Sequence, residues 1–278
     1  MRILALGNSF SEDATAYLEH LAPALYVRNL HIPGCSLETH AAHLAAGDKA
    51  YVFQEHGRAV QPEHVAANDI MAGTPWDVVT VQQASHFSGL PETCEPYLTE
   101  VLAAVRALCP GARIVFHETW AYATDSTHPQ FSHYHNDQTE MAHAIRAAAG
   151  AAATAHGLGI IPSGRFIAYL RAHGPSLGDE YTRDGFHMHI PYGRYAVALV
   201  WAHFFGAEVS DFVPEGADPD VLRVIRELYD RFASTGFGIS DGAEPQNTPA
   251  RRLDTHAVVC RPNLWACEER FQTGISLR

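Results

Sequence analysis

The chain has 278 residues, 47% of them hydrophobic, which is enough for one α/β domain with a buried sheet or for two small domains and too hydrophobic for a disordered chain. Its 19 lysines and arginines against 31 aspartates and glutamates give a formal net charge of −12. Because a chain this acidic repels the phosphate backbones of nucleic acids, we expect no nucleic acid as a partner.

The N-terminal residues and the cysteines indicate where the protein works. Residues 1–7 run directly into an apolar strand pattern, without the charged region, apolar stretch and cleavage site of a secretory leader. No window approaches the length of a membrane span, so we expect no membrane as a partner. The 5 cysteines are scattered and lack Cys-x-x-Cys spacing, as in proteins of a reducing compartment. We therefore expect a cytoplasmic protein.

Short apolar runs alternate along the chain with longer amphipathic segments. The runs predict strands over residues 3–6, 27–32, 77–81, 113–117 and 158–161. Several are apolar throughout, as in parallel strands that are covered on both faces. Apolar residues at helical spacing predict helices over residues 14–25, 95–108, 134–156, 162–173, 191–205 and 218–233.

This alternation predicts an α/β protein: one three-layer α/β/α domain around a doubly wound, parallel, five-stranded sheet. Its core covers residues 1–205, and one further helix extends the domain to residue 233. From about residue 236 the periodicity fades and Gly, Pro and Arg interrupt the chain. We therefore expect residues 234–278 to form a peripheral C-terminal tail without catalytic groups. Whether the domain forms a homo-oligomer is left open.

A candidate nucleophile lies between the first strand and the first helix, in the segment Gly7-Asn8-Ser9. In an open α/β sheet, ligands bind where strands end and helices begin, above all beside the first strand. Backbone N–H groups and the helix dipole at such a place stabilise a developing oxyanion. The alternative is that Ser9 or Ser11 simply caps the helix.

A candidate base and acid lie late in the chain, in the segment Asp184-Gly185-Phe186-His187. A serine hydroxyl becomes a good nucleophile when a base takes its proton, and an imidazole titrates near neutrality. A carboxylate three residues earlier can hold the other ring nitrogen. The alternative is a surface aspartate beside one of 18 histidines. Another serine, Ser176, matches a Gly-x-Ser-x-Gly elbow, but it follows a helical pattern rather than a strand, so we set it aside.

The order and content of these segments resemble the SGNH (GDSL-like) hydrolase superfamily. Residues 7–11, GNSFS, fit its first block, which carries the nucleophile, and Asp184 and His187 fit its last block. Gly34 fits the second block, whose glycine N–H serves the oxyanion hole. More narrowly, GNSFSEDA, VVTVQQASHFSG and DGFH resemble a poorly characterised bacterial branch. The resemblance implies a flavodoxin-like fold, a triad of Ser9, His187 and Asp184, and an oxyanion hole that includes the N–H groups of Ser9 and Gly34.

The third block departs from the superfamily pattern, in which an asparagine side chain completes the oxyanion hole. Here the strand at 77–81 leads into QQASH, which is similar to the Gln-Gly-Glu block of carbohydrate-esterase branches. Counting without gaps instead puts His86 at the asparagine position. We assign Gln83 to the oxyanion hole, because its amide N–H can donate as asparagine does. We assign His86, together with Trp120 and Phe186 from other strand-end loops, to the substrate pocket, where rings stack on sugars.

The resemblance implies a serine esterase or deacetylase acting on short-chain esters, with acetyl groups on carbohydrates as the first expectation. Its substrate is then a small-molecule or saccharide ester, and it requires neither a cofactor nor a metal. Two alternatives remain. One is a metal-dependent hydrolase using clustered histidines, since His133 and His135, or His187 and His189, have a spacing that metals accept. The other is a non-catalytic glycan-binding protein on the same scaffold.

Overall fold

The computed structural model describes residues 1–178 and 180–236. Its strands are β1 (Arg2–Gly7), β2 (Tyr26–His31), β3 (Val52–Glu55), β4 (Arg58–Ala59), β5 (Val78–Val81), β6 (Arg113–His117) and β7 (Gly159–Ile161). Within these residues they form one 7-stranded sheet in the order β4-β3-β2-β1-β5-β6-β7.

Helices follow most of the strands and pack against the sheet. They are α1 (Ser9–Thr15), α2 (Leu18–Leu21), α3 (Leu37–Ala46), α4 (Ala67–Gly73), α5 (Tyr97–Leu108), α6 (Gln138–His156), α7 (Ser163–His173), α8 (Tyr192–Phe204) and α9 (Pro219–Ser234). Among the residues that the structure describes, none of these helices has both the length and the apolar character that crossing a bilayer requires.

The parallel part of the sheet sets the position of the candidate site. β1 pairs in parallel with β2 on one side and with β5 on the other, and β6 and β7 continue the sheet beyond β5. The chain thus leaves β1 in one direction and later returns to its other side. In a doubly wound sheet, a crevice for ligands opens at the carboxyl ends of the strands at this reversal. Ser9 follows the last residue of β1 by two positions and therefore lies at this edge of the sheet.

Both faces of the sheet are covered by helices, which confirms the predicted three-layer α/β/α fold. Along β1, Ile3 and Ala5 belong to one buried cluster and Leu4 and Leu6 to the other, because neighbouring strand residues alternate between faces. Helices α1, α2, α7, α8 and α9 contribute to the first cluster, α3, α4 and α5 to the second, and α6 to both.

The predicted strands are all present, each within one residue of its predicted ends, but the prediction of five strands was incomplete. β3 and β4 form an antiparallel hairpin beside β2. These strands are short and mostly half-buried or exposed, so they lack the apolar run that marks most of the other strands. The pattern over residues 14–25 proves to be two helices, α1 and α2. Of the predicted tail, all but residues 234–236 lie outside the described residues.

Candidate active site

Ser9 is the first residue of α1 and is held by its neighbour Asn8. The side-chain Oδ1 of Asn8 caps the helix by accepting from the N–H of Phe10 at 3.0 Å. The side-chain amide of Asn8 donates to the carbonyl of Cys35 at 3.0 Å. Since Cys35 directly follows Gly34, Asn8 ties the loop after β2 to the start of α1. Ser9 is half-buried whereas Asn8 and Phe10 are buried, so Ser9 is the residue of this turn that reaches the surface.

Asp184 and His187 lie in the loop between α7 and α8, which is folded around the carboxylate. Asp184 Oδ1 accepts from the backbone N–H of Phe186 at 3.2 Å and from that of His187 at 2.8 Å. Gly185 has a φ of +87°, and a Cβ there would lie 2.9 Å from the Cα of Ser126. Glycine therefore permits the turn that brings the Asp184 carboxylate beside the His187 ring.

The structure brings Ser9, His187 and Asp184 together in one hydrogen-bonded line. His187 Nε2 lies 2.8 Å from Ser9 Oγ, and His187 Nδ1 lies 2.7 Å from Asp184 Oδ2. Partial burial raises the pKa of Asp184, but hydrogen bonds from the His187 side chain and backbone lower it by more than burial raises it. The pKa of Asp184 is therefore below its usual value. An ionised carboxylate holds the proton on Nδ1 and leaves Nε2 free to accept the serine proton.

Behind Ser9, buried polar side chains link the ends of neighbouring strands. Gln82, which follows β5, donates from Nε2 to Asn8 Oδ1 at 2.8 Å, and its Oε1 lies 2.9 Å from His117 Nδ1. His117 Nε2 in turn lies 3.0 Å from Ser163 Oγ. Burial lowers the pKa of His117 to about 3, so the ring is neutral; it donates to Gln82 and accepts from Ser163. This chain of bonds holds Asn8 and with it the start of α1.

Gln82 and His117 were not among the residues predicted for the triad, the oxyanion hole or substrate binding. Gln82 directly follows β5, and His117 is the last residue of the adjacent strand β6. A polar residue at the end of each of two core strands is the signal that would have found them, because such ends meet at the ligand-binding edge of a parallel sheet.

Gln83 does not present a free amide N–H to an oxyanion, contrary to expectation. Its Nε2 donates to the carbonyl and to Oγ1 of Thr93, at 2.9 and 3.1 Å. Its Oε1 accepts from the backbone N–H groups of Leu37 and Ala84, at 2.9 and 2.8 Å. Because an amide nitrogen carries two hydrogens, both are already used. Gln83 instead joins the loop after β5 to the start of α3.

Gly34 lies in the exposed turn after β2. Its φ is +61°, in the left-handed region that favours glycine, although a Cβ would meet no atom within 4 Å. The glycine is therefore required by the conformation of the turn rather than by lack of space. Its connection to Ser9 runs through the bond between Asn8 and Cys35.

Trp120 does not line the site, and its assignment to substrate binding is corrected. Its side chain is 0% exposed and stacks on Phe10, with ring centroids 4.3 Å apart. Its Nε1 donates to the carbonyl of Phe186 at 2.8 Å. A fully buried indole cannot touch substrate. Trp120 instead packs between α1 and the loop that carries His187.

His86 and Phe186 belong to a row of half-buried rings that ends at His187. Between ring centroids, His86 lies 6.0 Å from His128, His128 lies 4.9 Å from Phe186, and Phe186 lies 4.2 Å from His187. We call His86, His128 and Phe186 the ring wall. Burial and the neighbouring His128 lower the pKa of His86 to about 4. Burial and His187 likewise lower the pKa of His128, although Asp184 opposes this. The ring wall is therefore uncharged at neutral pH.

Within the described part of the chain, one group of three side chains offers possible metal-ligand atoms within 4.8 Å of one another. It consists of Glu19, Glu55 and His56. The guanidinium of Arg28 already pairs with both carboxylates of this group. The histidines named for the metal alternative, His133, His135, His187 and His189, are not part of it.

Comparisons with known proteins agree with this fold. The family described as "Domain of unknown function (DUF4886)" matches residues 2–225. A DUF4886 family protein from Bacteroides uniformis is 30% identical, with a TM-score of 0.77 over 87% of this chain and 97% of that one. A protein from Slackia heliotrinireducens, provisionally described as an SGNH hydrolase, is 26% identical, with a TM-score of 0.54 over 74% and 99% of the two chains.

A third structure, provisionally described as a GDSL-like lipase from Parabacteroides merdae, is similar in fold alone, at 16% identity and a TM-score of 0.50 over 74% of this chain and 95% of that one. No curated protein matches the sequence. The DUF4886 match extends over most of the described residues and over every candidate site residue. This chain is therefore a member of the DUF4886 family, within the SGNH-like hydrolase superfamily.

Proposed function

We propose that this protein is a serine hydrolase that cleaves carboxylic esters. Ser9 is the nucleophile, His187 the general base and acid, and Asp184 the residue that orients His187. The observation that carries the proposal is the line of hydrogen bonds from Ser9 Oγ to His187 Nε2, at 2.8 Å, and from His187 Nδ1 to Asp184, at 2.7 Å. A base within this reach of a serine hydroxyl is what nucleophilic catalysis requires. Similarity to a protein provisionally described as an SGNH hydrolase supports it.

The reaction proceeds by two acyl transfers. His187 Nε2 takes the proton of Ser9 while Ser9 Oγ attacks the ester carbonyl. The imidazolium, stabilised by Asp184, then protonates the leaving alcohol, and an acyl-serine remains. In the second half, His187 takes a proton from water while the water oxygen attacks the acyl carbon. His187 then gives that proton to Ser9 Oγ as the bond between the acyl carbon and Oγ breaks, which releases the acid and the free serine.

The oxyanion of each tetrahedral intermediate is held, in this proposal, by the backbone N–H groups of Ser9 and Gly34. Asn8 supports the assignment because it bonds both the start of α1 and Cys35, the residue after Gly34. Gln83 is left out, since Thr93 takes both of its amide hydrogens. Removing one oxyanion donor from a serine hydrolase costs about 10²–10³ in kcat, so the geometry of this turn contributes substantially to the rate.

The nucleophile is tested by Ser9→Ala. We expect the substitution to lower p-nitrophenyl acetate hydrolysis by about 10³-fold or more, because it removes the attacking atom. Ser176→Ala, which changes an exposed serine in the Gly-x-Ser-x-Gly segment, is the matched control and should keep the wild-type rate. A fluorophosphonate should modify Ser9, as located by peptide mass spectrometry. Modification of Ser176, or of no residue, would refute the assignment.

We further propose a short acyl group, acetyl first, on a carbohydrate or a similar polar alcohol. The ring wall supports this choice, because uncharged rings beside His187 offer faces for a sugar ring. The imidazole of His86, and Nε2 of His128, whose Nδ1 already accepts from the N–H of Gln130, can also exchange hydrogen bonds with hydroxyl groups. A long lipid chain would instead need a continuous apolar groove, in which each buried methylene adds about 0.8 kcal/mol.

The acyl preference is tested by kcat/KM for acetyl, butyryl and octanoyl p-nitrophenyl esters, followed by acetate release from acetylated saccharides. We expect the acetyl ester to be the best of the series. His86→Ala, at the far end of the ring wall, should raise KM for an acetylated saccharide more than KM for ethyl acetate, whose alcohol has no ring. A steep rise of kcat/KM with chain length, or no acetate from any saccharide, would overturn the substrate class and leave the serine mechanism standing.

A further inference from the structure

Asp13 is a buried carboxylate that the proposed chemistry does not use. It lies on α1 four residues after Ser9, one helical turn along the same face. Its exposure is 0%, so water does not solvate it. An isolated charge in such a place is unfavourable, and buried carboxylates persist where cations and N–H groups surround them. The partners of Asp13 therefore indicate what the side chain holds in place.

Two of the partners of Asp13 enclose the segment that carries Asp184 and His187. The guanidinium Nη1 of Arg183, the residue before Asp184, donates to both oxygens of Asp13, at 2.9 and 3.1 Å. The backbone N–H of Met188, the residue after His187, donates to Asp13 Oδ2 at 2.8 Å. One carboxylate thus holds both ends of the four-residue segment from Asp184 to His187.

The third partner of Asp13 lies outside that segment. Arg194, on α8, donates from Nε to Asp13 Oδ1 at 2.8 Å. The Arg194 side chain also lies 3.6 Å from Glu12. Arg194 therefore keeps the carboxylate paired with a cation whether or not Arg183 is present, and the contribution of Arg183 can be removed separately.

We propose that Asp13 is a positioning residue that sets the distance between Ser9 Oγ and His187 Nε2, acting through Arg183 and the N–H of Met188. The proposal rests on the serine mechanism proposed above. The nucleophile Ser9 is the first residue of α1. Asp13, one turn later on the same short helix, binds the loop that carries His187 and holds that loop against α1. The two reacting groups are 178 residues apart in the sequence, and the Asp13 carboxylate connects the helix of one to the loop of the other. A displacement of about 1 Å between reacting groups lowers a rate by about 10²-fold.

Arg183→Met tests the proposal. The Arg183 side chain is 31% exposed, so methionine fits at the site, and Asp13 keeps Arg194. We expect kcat for p-nitrophenyl acetate to fall by about 10²-fold, because the base moves away from Ser9. We expect KM for this ester to change much less, because its alcohol carries no sugar ring that would depend on Phe186, the ring-wall residue in the same segment. The matched control is Arg165→Met, which takes the guanidinium from another buried carboxylate, Glu118, at 2.9 Å. It should lower stability while keeping the wild-type kcat of the folded fraction.

A double-mutant cycle with His187→Ala separates positioning from general destabilisation. If Asp13 and Arg183 act through His187, Arg183→Met has no further effect on the small residual rate of His187→Ala. The pH profile gives a second readout. A variant whose base is displaced should lose the plateau of kcat near neutral pH and depend on hydroxide instead. If Arg183→Met does not fold, Arg183→Lys is used, since an ammonium keeps the charge without the rigid fork of the guanidinium.

The outcomes distinguish the two proposals. If the wild-type enzyme is not modified at Ser9 by a fluorophosphonate, the serine mechanism fails, whatever the variants do. If Ser9 is modified but the Arg183 variant keeps the wild-type kcat and pH profile, the positioning role of Asp13 is overturned and the mechanism stands. The positioning role would also be overturned if Arg183→Met lowered the residual rate of His187→Ala by about 10²-fold more, because the effect of Arg183 would then not pass through His187.

Discussion

Gly164 and Gly150 are both helical residues, but only Gly164 has neighbouring atoms where a side chain would lie. Replacing them by alanine should therefore change the stability of the protein in opposite directions. Gly164 lies in the first turn of α7, and a Cβ there would be 2.0 Å from the carbonyl oxygen of Thr119. Its N–H donates to the carbonyl of Glu118 at 3.2 Å, so α7 begins in direct contact with the turn after β6. Gly150 lies within α6, and its Cβ position has no atom within 4 Å.

We expect Gly150→Ala to raise the free energy of unfolding by about 0.5–1 kcal/mol, because alanine loses less backbone freedom than glycine on joining a helix. Gly164→Ala should lower it by about 1–3 kcal/mol or more, since Thr119 must move to admit the methyl group. Urea unfolding of both variants measures the two changes. Equal changes of the same sign would show that the close approach of α7 to the turn after β6 is not required.

The sequence could suggest the chemistry of single residues better than their orientation. Ser9, Asp184 and His187 could be proposed as one group, because the short motifs that carry them follow one another in an order typical of a known superfamily. The contacts of Gln83 and Trp120 could not be foreseen. A glutamine after a strand can point along the site or bond its own neighbours, and an aromatic residue after a strand can face the pocket or close the core.

At the scale of whole elements, the sequence predicts best where burial is complete. Most of the parallel strands are buried on both faces and leave a mainly apolar run in the sequence, and all of these strands were placed within one residue of their ends. The amphipathic helix α9 was also predicted, from apolar residues along one face. The β3–β4 hairpin was missed because its strands have 4 and 2 residues and lie at the edge of the sheet. There the pairing comes from the neighbouring strand rather than from a local pattern.

For the whole molecule, buried histidines predict a loss of stability in mild acid. Burial lowers the pKa of His40 and of His117 to about 3, and burial with His128 lowers that of His86 to about 4. In the unfolded chain these rings bind protons at pH about 6.5. Below that pH the unfolded state therefore holds more protons than the folded state, until the folded pKa values are reached. The contribution of these neutral rings to the free energy of unfolding is thus fully present above pH about 6.5 and is lost as the pH drops towards 4.

We expect the free energy of unfolding to fall between pH 6.5 and 4 by up to about 1.4 kcal/mol per pH unit for each such ring. Urea unfolding at several pH values measures the slope. His117→Gln should reduce this slope by about one proton, and His64→Gln, which removes an exposed imidazole, is the comparison. The same slope in wild type and in His117→Gln would contradict the assignment of this sensitivity to the buried ring.

Because both ring nitrogens of His117 are hydrogen-bonded, this residue can be followed by spectroscopy. With Nδ1 donating to Gln82 and Nε2 accepting from Ser163, the ring is confined to a single tautomer, the one protonated on Nδ1. Nitrogen NMR distinguishes that tautomer from the other neutral form and from the cation. Because the same chain of bonds ends on Asn8, beside Ser9, the His117 resonance is a native marker of the turn that carries the nucleophile. It can be followed without substrate, probe or added label at Ser9 itself.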